Sequence, residues 1–243
     1  MKPEEYQIMY QAEDTLWWYR GMEVITRRVI QRFYTREEGL NILDAGCGTG
    51  AGMKYLSDYG FVTGLDYSPL ALQFSRQRGE TLLVRGSVTD LPFQNAAFDL
   101  VTSFDVLYTQ GIDDEQALHE FRRVLATGGR IILRLPAYDW LRGAHDEAIN
   151  TGHRYTVGEI RAKMTKSGFV VDHTSYANMW LFPLAMLKRL SDRLLSRQGR
   201  SDLTLGVGPL NGILQSILAS EARFVAGKGL AFGLSVVAVG RKM

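Results

Sequence analysis

The stretch that most constrains the fold is a short apolar strand leading into a glycine-rich turn. It reads Ile42-Leu43-Asp44-Ala45-Gly46-Cys47-Gly48-Thr49-Gly50. Glycine lacks the Cβ atom that would keep other groups away, so such a turn lets the backbone approach a bound ligand closely. The turn alone does not identify that ligand, and residues further along the chain must do so.

Strand and helix patterns alternate along most of the chain. Apolar strand patterns occur at residues 40–44, 61–65, 81–85, 98–104, 130–135, 168–175 and 229–239. Helical patterns separate most of them, at residues 53–59, 69–78, 113–125 and 156–166. Short connections between alternating strands and helices are typical of a doubly wound α/β sheet. Outside this alternation a helical segment is predicted at residues 4–34. Two helical patterns, at 181–197 and 210–225, are predicted within residues 181–227 and are joined by a polar linker at 198–202.

Glycines and polar residues follow four of the predicted strands at their carboxyl ends. They are the turn at 44–50, Asp66, residues 87–90 and residues 103–108. Ligands of open α/β sheets bind beyond the carboxyl ends of the strands, near the switch in strand order. We therefore expect one binding site built from these four segments.

Three classes of ligand are considered for the glycine turn. A P-loop is excluded because no Gly-Lys-Ser/Thr sequence closes the turn. A nicotinamide dinucleotide is not excluded as the ligand, because Gly46, Gly48 and Ala51 match the glycine pattern of its turn loosely. Asp66 also follows Gly46 by 20 residues, where a ribose-binding acid is expected. S-adenosylmethionine is the third, and the wider pattern favours it.

Over residues 40–175 the chain resembles the class I S-adenosylmethionine-dependent methyltransferases. The matching segments are residues 43–50, 64–68, 86–93, 98–101 and 125–129, in that order. The resemblance implies a Rossmann-like, mostly parallel seven-stranded sheet with an antiparallel last strand. We expect a single domain over residues 1–243. Its parts would be an N-terminal helical lid at 1–38, a cofactor-binding core at 39–178, a helical insertion at 179–228 and a final strand at 229–243.

The resemblance also implies S-adenosylmethionine as the cofactor, with S-adenosylhomocysteine as its product. The implied contacts are Arg20, Asp44, Gly46, Cys47, Gly48, Gly50, Asp66, Tyr67, Ser87, Val88, Asp90, Ser103 and Phe104. Asp66 can accept hydrogen bonds from both ribose hydroxyls. Tyr67 and residues 87–90 are expected around the adenine, and the carbonyls at 103–104 near the ammonium group. Arg20 is expected to pair with the methionine carboxylate.

Methyl transfer from a sulfonium gains much of its rate from proximity and orientation, so no obvious base is required. Where the acceptor must lose a proton, the candidate catalytic residues are His145, His153 and Tyr108. Acceptor contacts are expected from Tyr10, Trp17, Trp18, Asp105, Tyr108, His145, Tyr155 and Trp180. We expect no metal, because the acidic cluster of metal-dependent catechol methyltransferases is missing. The segment after the fourth strand lacks the signature of nucleic-acid and protein-glutamine methyltransferases.

The expected function is methyl transfer to nitrogen or oxygen of a small, planar or heteroaromatic metabolite in a biosynthetic pathway. The aromatic residues Trp17 and Trp18 are the reason for expecting a planar acceptor. The alternatives are a non-catalytic S-adenosylmethionine-binding regulatory protein, a methyltransferase for a lipid-linked or sugar acceptor, and a nicotinamide-dependent reductase. The insertion is compatible with capping the core, a dimer surface or a membrane surface.

Charge, cysteine content and hydropathy limit the binding partners and the cellular location that we expect for the protein. The formal net charge is +2 with no long run of one sign, which gives no reason to expect nucleic acid. Cys47 is the only cysteine, so an internal disulfide is excluded. No uninterrupted apolar run reaches the ~18 residues of a spanning helix. We expect a cytoplasmic monomer or homodimer that acts on a small molecule and does not associate with membranes.

Overall fold

The computed structural model describes residues 3–36, 38–143, 146, 150–187 and 208–243. Its strands are β1 Leu40–Ala45, β2 Gly60–Asp66, β3 Leu83–Arg85, β4 Phe98–Phe104, β5 Leu125–Pro136, β6 Phe169–Ala177 and β7 Ser235–Lys242. They form one seven-stranded sheet in the order β3-β2-β1-β4-β5-β7-β6. β7 is antiparallel to β5 and β6, and the other neighbours are parallel. This confirms the predicted mostly parallel sheet with an antiparallel last strand.

Two strands begin five or six residues from their predicted starts, whereas the others begin within two residues of theirs. β5 starts at Leu125, which pairs with Phe98, and the register shift between Phe98 and Leu100 absorbs the glycines that follow. β7 starts at Ser235 and not at residue 229. Gly229 has a left-handed φ of 84°, and Leu230 makes only an isolated bridge to Tyr176. Glycine at such an angle interrupts regular strand pairing. The predicted strand therefore began six residues before the observed one.

Helices cover both faces of the sheet. They are α1 Pro3–Ala12, α2 Trp17–Ile30, α3 Ala51–Leu56, α4 Pro69–Gln77, α5 Asp114–Val124, α6 Val157–Lys166, α7 Asn211–Ser220 and α8 Ala222–Val225, with short 3-10 helices at Asp139–Leu141 and Gly208–Leu210. Residues 182–187 are also helical. Side chains of Ser68, Asp113 and Thr156 cap three of these helices. The predicted helix at 4–34 is two helices, separated at residues 13–16.

Each face of the sheet has its own apolar core. Leu43, Val101 and Leu133 belong to the core shared with α5 and α6. Ile42 and Leu100 belong to the core shared with α2, α3 and α7. Neighbouring residues of one strand point to opposite faces, so buried parallel strands show continuous apolar runs.

The described part of the helical insertion packs on the core. A Cβ atom at Gly21 of α2 would lie 2.7 Å from Cδ2 of Leu218, which shows how closely α2 and α7 approach. Glu221 is fully buried and accepts the backbone N–H groups of Asn178 and Trp180 at 2.7 and 2.8 Å. The second half of the helix predicted from residue 181 lies outside the described residues. Among those described, no helix has the length and apolarity needed to cross a membrane.

Candidate active site

A cavity of about 1830 Å³ opens at the carboxyl ends of the central strands, beneath α1 and α2. The four predicted segments after β1, β2, β3 and β4 all contribute lining residues. Pockets for one drug-sized ligand usually measure about 300–1,000 Å³. The cavity therefore has room for a cofactor and a second small molecule.

The glycine turn forms part of the cavity wall and is covered closely on two sides. Gly46 and Gly48 have left-handed φ angles of 90° and 56°. A Cβ atom at Gly46 would lie 2.2 Å from Cγ2 of Val106, and one at Gly48 would lie 3.1 Å from Cε of Met9. Only glycine fits these positions without strain, so the turn leaves bare backbone facing the cavity.

Gly50 and Cys47 have different surroundings within the same turn. Gly50 lies outside the cavity lining and begins α3, where a Cβ atom would be 3.0 Å from Oγ of Ser75. Gly50 thus packs against Ser75, and its cofactor contact stays a prediction. Cys47 lines the cavity, and burial raises the pKa of its thiol well above the ordinary range. The neutral thiol acts as a small packing group and not as a nucleophile.

Asp66 ends β2 with a carboxylate fixed toward the cavity. Oδ2 accepts the N–H of Gly48 at 3.0 Å, and Oδ1 accepts the N–H of Ser68 at 2.8 Å. Burial raises the pKa of Asp66, and these two amide donors act in the opposite direction. Each carboxylate oxygen has a further lone pair, so the held group can accept hydrogen bonds from a diol.

The predicted adenine end is built from residues after β2 and β3. Tyr67, Ser87 and Val88 line the cavity. Ser87 Oγ lies 2.7 Å from Thr89 Oγ1 in the loop after β3. Asp90 pairs with Ser87 through a backbone bridge and stays outside the lining. The structure thus brings Ser87, and not Asp90, to this end.

Asp44 is a buried acid at the end of β1. Its Oδ1 accepts a hydrogen bond from Thr102 Oγ1 at 2.9 Å. Burial raises the pKa of Asp44 to about 6, while Thr102 and the more distant Arg134 act in the opposite direction. Phe104 lines the cavity, whereas Ser103 is buried outside it. A desolvated carboxylate next to the turn favours a cationic partner.

The N-terminal segment is tied to the glycine turn through Arg78. Its guanidinium donates to Glu13 at 3.1 Å, to Asp14 at 2.6 Å and to the carbonyls of Tyr10 and Thr49 at 2.7 and 2.8 Å. Thr49 also donates a hydrogen bond to Glu13. The Tyr10 ring lies 4.5 Å from Arg78 Cζ and does not line the cavity. Tyr10 therefore belongs to the set of contacts around Arg78, which we call the Arg78 clamp, and it is not brought to the predicted acceptor site.

The first turn of α2 borders the cavity as predicted. Trp17, Trp18 and Arg20 are all lining residues. Arg20 is 46% exposed at its side chain and pairs with Glu23 at 2.6 Å. A bond from Arg20 to the methionine carboxylate would therefore have to replace this exposed ion pair, and it stays a prediction.

Tyr108 and Asp105 line the cavity beyond β4. Asp105 has a left-handed φ of 57° and pairs with Arg134 at 2.6 Å. Burial raises the pKa of Tyr108, Asp105 and Asp146 raise it further, and Arg154 and Arg134 lower it. The phenol stays protonated at neutral pH, so this environment favours a hydrogen-bond donor over the predicted base.

One of the two histidines predicted as bases is placed away from the cavity. His153 lies outside the lining, with Nδ1 2.7 Å from Asp139 and Nε2 2.7 Å from Glu159. Both ring nitrogens are engaged at the surface, which explains its position. His145 lies outside the described residues.

Tyr155 and Trp180 are also placed away from the cavity. Tyr155 is buried, and its hydroxyl lies 2.8 Å from Asp114 Oδ2 and 3.1 Å from the carbonyl of Leu107. Trp180 faces Phe224, with ring centroids 6.1 Å apart. In the structure both side chains pack between elements, so neither is brought to the cavity.

Residues that were not predicted complete the half of the cavity beyond β4. Arg134 is a lining residue, as is the buried pair Arg154 and Asp146 at 2.7 Å. Asn178, only 2% exposed, lines the cavity with an Oδ1 atom that has no partner in the described part of the chain. An arginine inside the apolar β5 run was the one sequence signal available for this half. No group of three or more His, Cys, Asp or Glu side chains within the described ranges is arranged to hold a metal ion.

A glycine turn after β1, an acid after β2 and a lining loop after β3 meet in one cavity. With the strand order above, they define a class I S-adenosylmethionine-dependent methyltransferase architecture. Comparison with known proteins agrees. Residues 43–133 match a family model described as a methyltransferase domain. Over these residues the chain is similar to S-adenosylmethionine-dependent methyltransferases.

Relatives and solved structures give the extent of the similarity. A protein of Encephalitozoon cuniculi named as a methyltransferase is 40% identical over 45% of this chain and 50% of its own length. A Mycolicibacterium smegmatis protein named as an S-adenosylmethionine-dependent methyltransferase is 30% identical over 65% of this chain and 61% of its own. The chain thus spans about half to three fifths of these curated relatives.

A chain in the complex of the Haloferax volcanii Trm112 methyltransferase activator with a methyltransferase has the same fold. Its TM-score is 0.63 at 22% identity, over 98% of this chain and 93% of that one.

Proposed function

We propose that the protein transfers a methyl group from S-adenosylmethionine to oxygen or nitrogen of a small acceptor. The observation that carries the proposal is a single cavity in which the glycine turn and Asp66 line one half, while Asp105, Arg134 and Tyr108 line the other. When bound, the cofactor supplies an electrophilic methyl group on a sulfonium sulfur.

Residues of the first half would hold the cofactor by its chemically distinct parts. Asp66 would accept the ribose hydroxyls, because its carboxylate is already fixed by two backbone amides. Gly46 and Gly48 would let the backbone lie against the cofactor, since added Cβ atoms would enter occupied space. Asp44 would face the ammonium group, because its buried carboxylate gains from a cationic neighbour.

Residues of the second half would orient the acceptor and exclude water. Trp17 and Phe104 give the cavity aromatic walls, which suits a planar acceptor. The protonated phenol of Tyr108 would donate a hydrogen bond to the acceptor. In the transfer the methyl carbon would leave the sulfonium sulfur as its bond to the acceptor oxygen or nitrogen forms. Proximity and orientation can supply roughly 7–11 kcal/mol of rate enhancement. No base among these residues is required when the acceptor is an ionised oxygen, or a neutral amine that releases its proton to solvent after the transfer. A biosynthetic role and a planar acceptor remain part of this proposal.

Calorimetry with S-adenosylhomocysteine and NADH tests the cofactor. We expect S-adenosylhomocysteine to bind and the Asp66→Asn variant to bind about tenfold or more weakly, because a charged acceptor of two hydroxyls is lost. Asp90→Asn is the matched control, since Asp90 lies in the next loop but outside the cavity. Binding of NADH without binding of S-adenosylhomocysteine would overturn the proposal. Formation of S-adenosylhomocysteine during incubation with an acceptor panel then tests catalysis.

A further inference from the structure

Arg134 is a cation held in a fixed orientation in the cavity wall. Its Nε donates to Oδ2 of Asp105 at 2.6 Å. Its Cζ lies 5.0 Å from the ring centroid of Trp18 and 4.9 Å from that of Phe104. An ion pair at one edge and two aromatic rings restrict a planar guanidinium strongly, so its other donors point in a fixed direction.

The terminal nitrogens of Arg134 are available for a ligand. Across the described ranges, the bond to Asp105 is the only hydrogen bond of this side chain. Arg134 lines the cavity, and its side chain is 11% exposed. Because Asp105 engages Nε, the donors that remain for a ligand are Nη1 and Nη2. This edge of a guanidinium pairs with a carboxylate or a phosphate through two parallel hydrogen bonds.

The position of Arg134 in the sheet favours the acceptor over the cofactor. β4 separates β5 from β1, so Arg134 is about 10 Å across the sheet from the glycine turn, at two strand spacings. The charges of the Arg134–Asp105 pair and of the Arg154–Asp146 pair both act on the pKa of Tyr108. All of these residues line the cavity, so both pairs lie near the same phenol. The acceptor half thus has two arginines beside the hydroxyl proposed to contact the acceptor.

Arg130 provides an internal comparison for a purely structural role. It lies on the same strand, and its Nε donates to Asp172 at 2.9 Å. Its Cζ lies 4.9 Å from the ring of Phe33 and 5.5 Å from that of Tyr34. Each of the two arginines therefore has one aspartate partner and two aromatic neighbours of its own. Only Arg134 lines the cavity. Any ligand effect of Arg134 beyond that of Arg130 must come from the cavity.

We propose that the methyl acceptor is an anion and that Arg134 binds its carboxylate or phosphate group. This assignment rests on the proposed function, because it needs the cofactor in the other half of the cavity. The bound anion would lie beside Tyr108, which orients the acceptor without serving as its base.

The test uses simple probes on the full-length protein saturated with S-adenosylhomocysteine. Benzoate and phenyl phosphate are the anionic probes, benzamide is the neutral one, and binding is measured by calorimetry. We expect at least one anion to bind about tenfold more tightly than benzamide. Arg134→Gln should remove that preference, whereas Arg130→Gln should retain it. The stronger of the two anions identifies the carboxylate or the phosphate as the recognised group.

Three results would overturn the assignment. The first is equal binding of anions and benzamide to the unmodified protein. The second is an unchanged anion preference in Arg134→Gln. The third is a tenfold loss of S-adenosylhomocysteine binding in Arg134→Gln with 5′-methylthioadenosine unaffected, which would assign Arg134 to the cofactor carboxylate.

Two further measurements keep the test interpretable. If Arg134→Gln does not fold, Arg134→Lys keeps the charge but loses the two-pronged geometry. It should then bind the preferred anion about threefold or more weakly, and an unchanged affinity would contradict the assignment. Failure of the unmodified protein to bind S-adenosylhomocysteine would instead refute the proposed function, so the two failures are distinguishable.

Discussion

Replacing Glu13 by glutamine should change how the stability of the protein depends on pH. Burial raises the pKa of Glu13 from 4.5 to about 7, and the bonds from Thr49 and Arg78 act in the opposite direction. Between these two values the unfolded chain releases its proton while the folded protein keeps it. The contribution of Glu13 to the free energy of unfolding therefore falls as pH rises from about 4.5 to about 7. Above that pH the contribution is constant, because Glu13 is ionised in both the folded and the unfolded state.

The magnitude follows from the difference between the two pKa values. A pKa change from 4.5 to about 7 corresponds to about 3 kcal/mol, because a tenfold change in proton affinity is worth about 1.4 kcal/mol. About 2 kcal/mol of this loss falls between about pH 5.5 and about pH 8. Glutamine has nearly the same shape and does not titrate. The free energy of unfolding of Glu13→Gln, relative to the unmodified protein, should rise by about 2 kcal/mol over that interval.

Urea unfolding of both proteins across this interval measures the effect. Asp14→Asn is the matched control, because Asp14 also pairs with Arg78 but its side chain is 56% exposed. Its effect on the free energy of unfolding should stay below about 1 kcal/mol at every pH. A gap between Glu13→Gln and the unmodified protein that is constant, or that shrinks as pH rises, would refute the reasoning. Such a result would mean that Arg78 and Thr49 outweigh the desolvation of Glu13.

Two further predictions concern the glycine turn and His153. Gly46→Ala places a Cβ atom 2.2 Å from Val106 at a φ of 90°, and should cost about 2 kcal/mol or more and abolish S-adenosylhomocysteine binding by calorimetry. Gly79→Ala, with a φ of 95° and no atom within 4 Å, isolates the backbone strain and should retain binding. His153→Gln should keep methyl-transfer rates within about threefold and lose less than about 1 kcal/mol of stability. A tenfold loss of rate would mean that His153 contacts the acceptor.

The sheet was predictable because its strands are local patterns repeated in order. The apolar runs around Ile42 and Leu100 are buried on both faces, and the connections between strands are short. The break between α1 and α2 was not predictable in the same way. Leu16 occupies the N-cap of α2 without a side-chain hydrogen bond, so the sequence has no capping signal there. The first N–H of α2, that of Trp17, is instead accepted by Oδ1 of Asn211 at 2.8 Å, and Asn211 is distant in sequence.

The two halves of the cavity differed in how far sequence predicted them. Gly46 and Asp66 could be identified from short motifs, because each follows directly from the strand before it. The acceptor half depends on contacts between distant segments, such as Arg134 with Trp18. Residue type alone suggested His153 as a base, but the fold places it between two surface carboxylates. Chemistry-bearing residues on the long loop after β5 therefore could not be assigned from sequence.

The electrostatic contrast between the two halves links the proposals. Glu13, Asp44 and Asp66 border the cofactor half, and burial raises the pKa of each of them. Such desolvated acids gain from a ligand that brings positive charge. Arg134 and Arg154 in the other half are each neutralised by one aspartate, which leaves donors but no excess charge. In the proposed complex a cationic cofactor and an anionic acceptor attract each other across the cavity. Methyl transfer removes the sulfonium charge, and that attraction weakens when the products must leave.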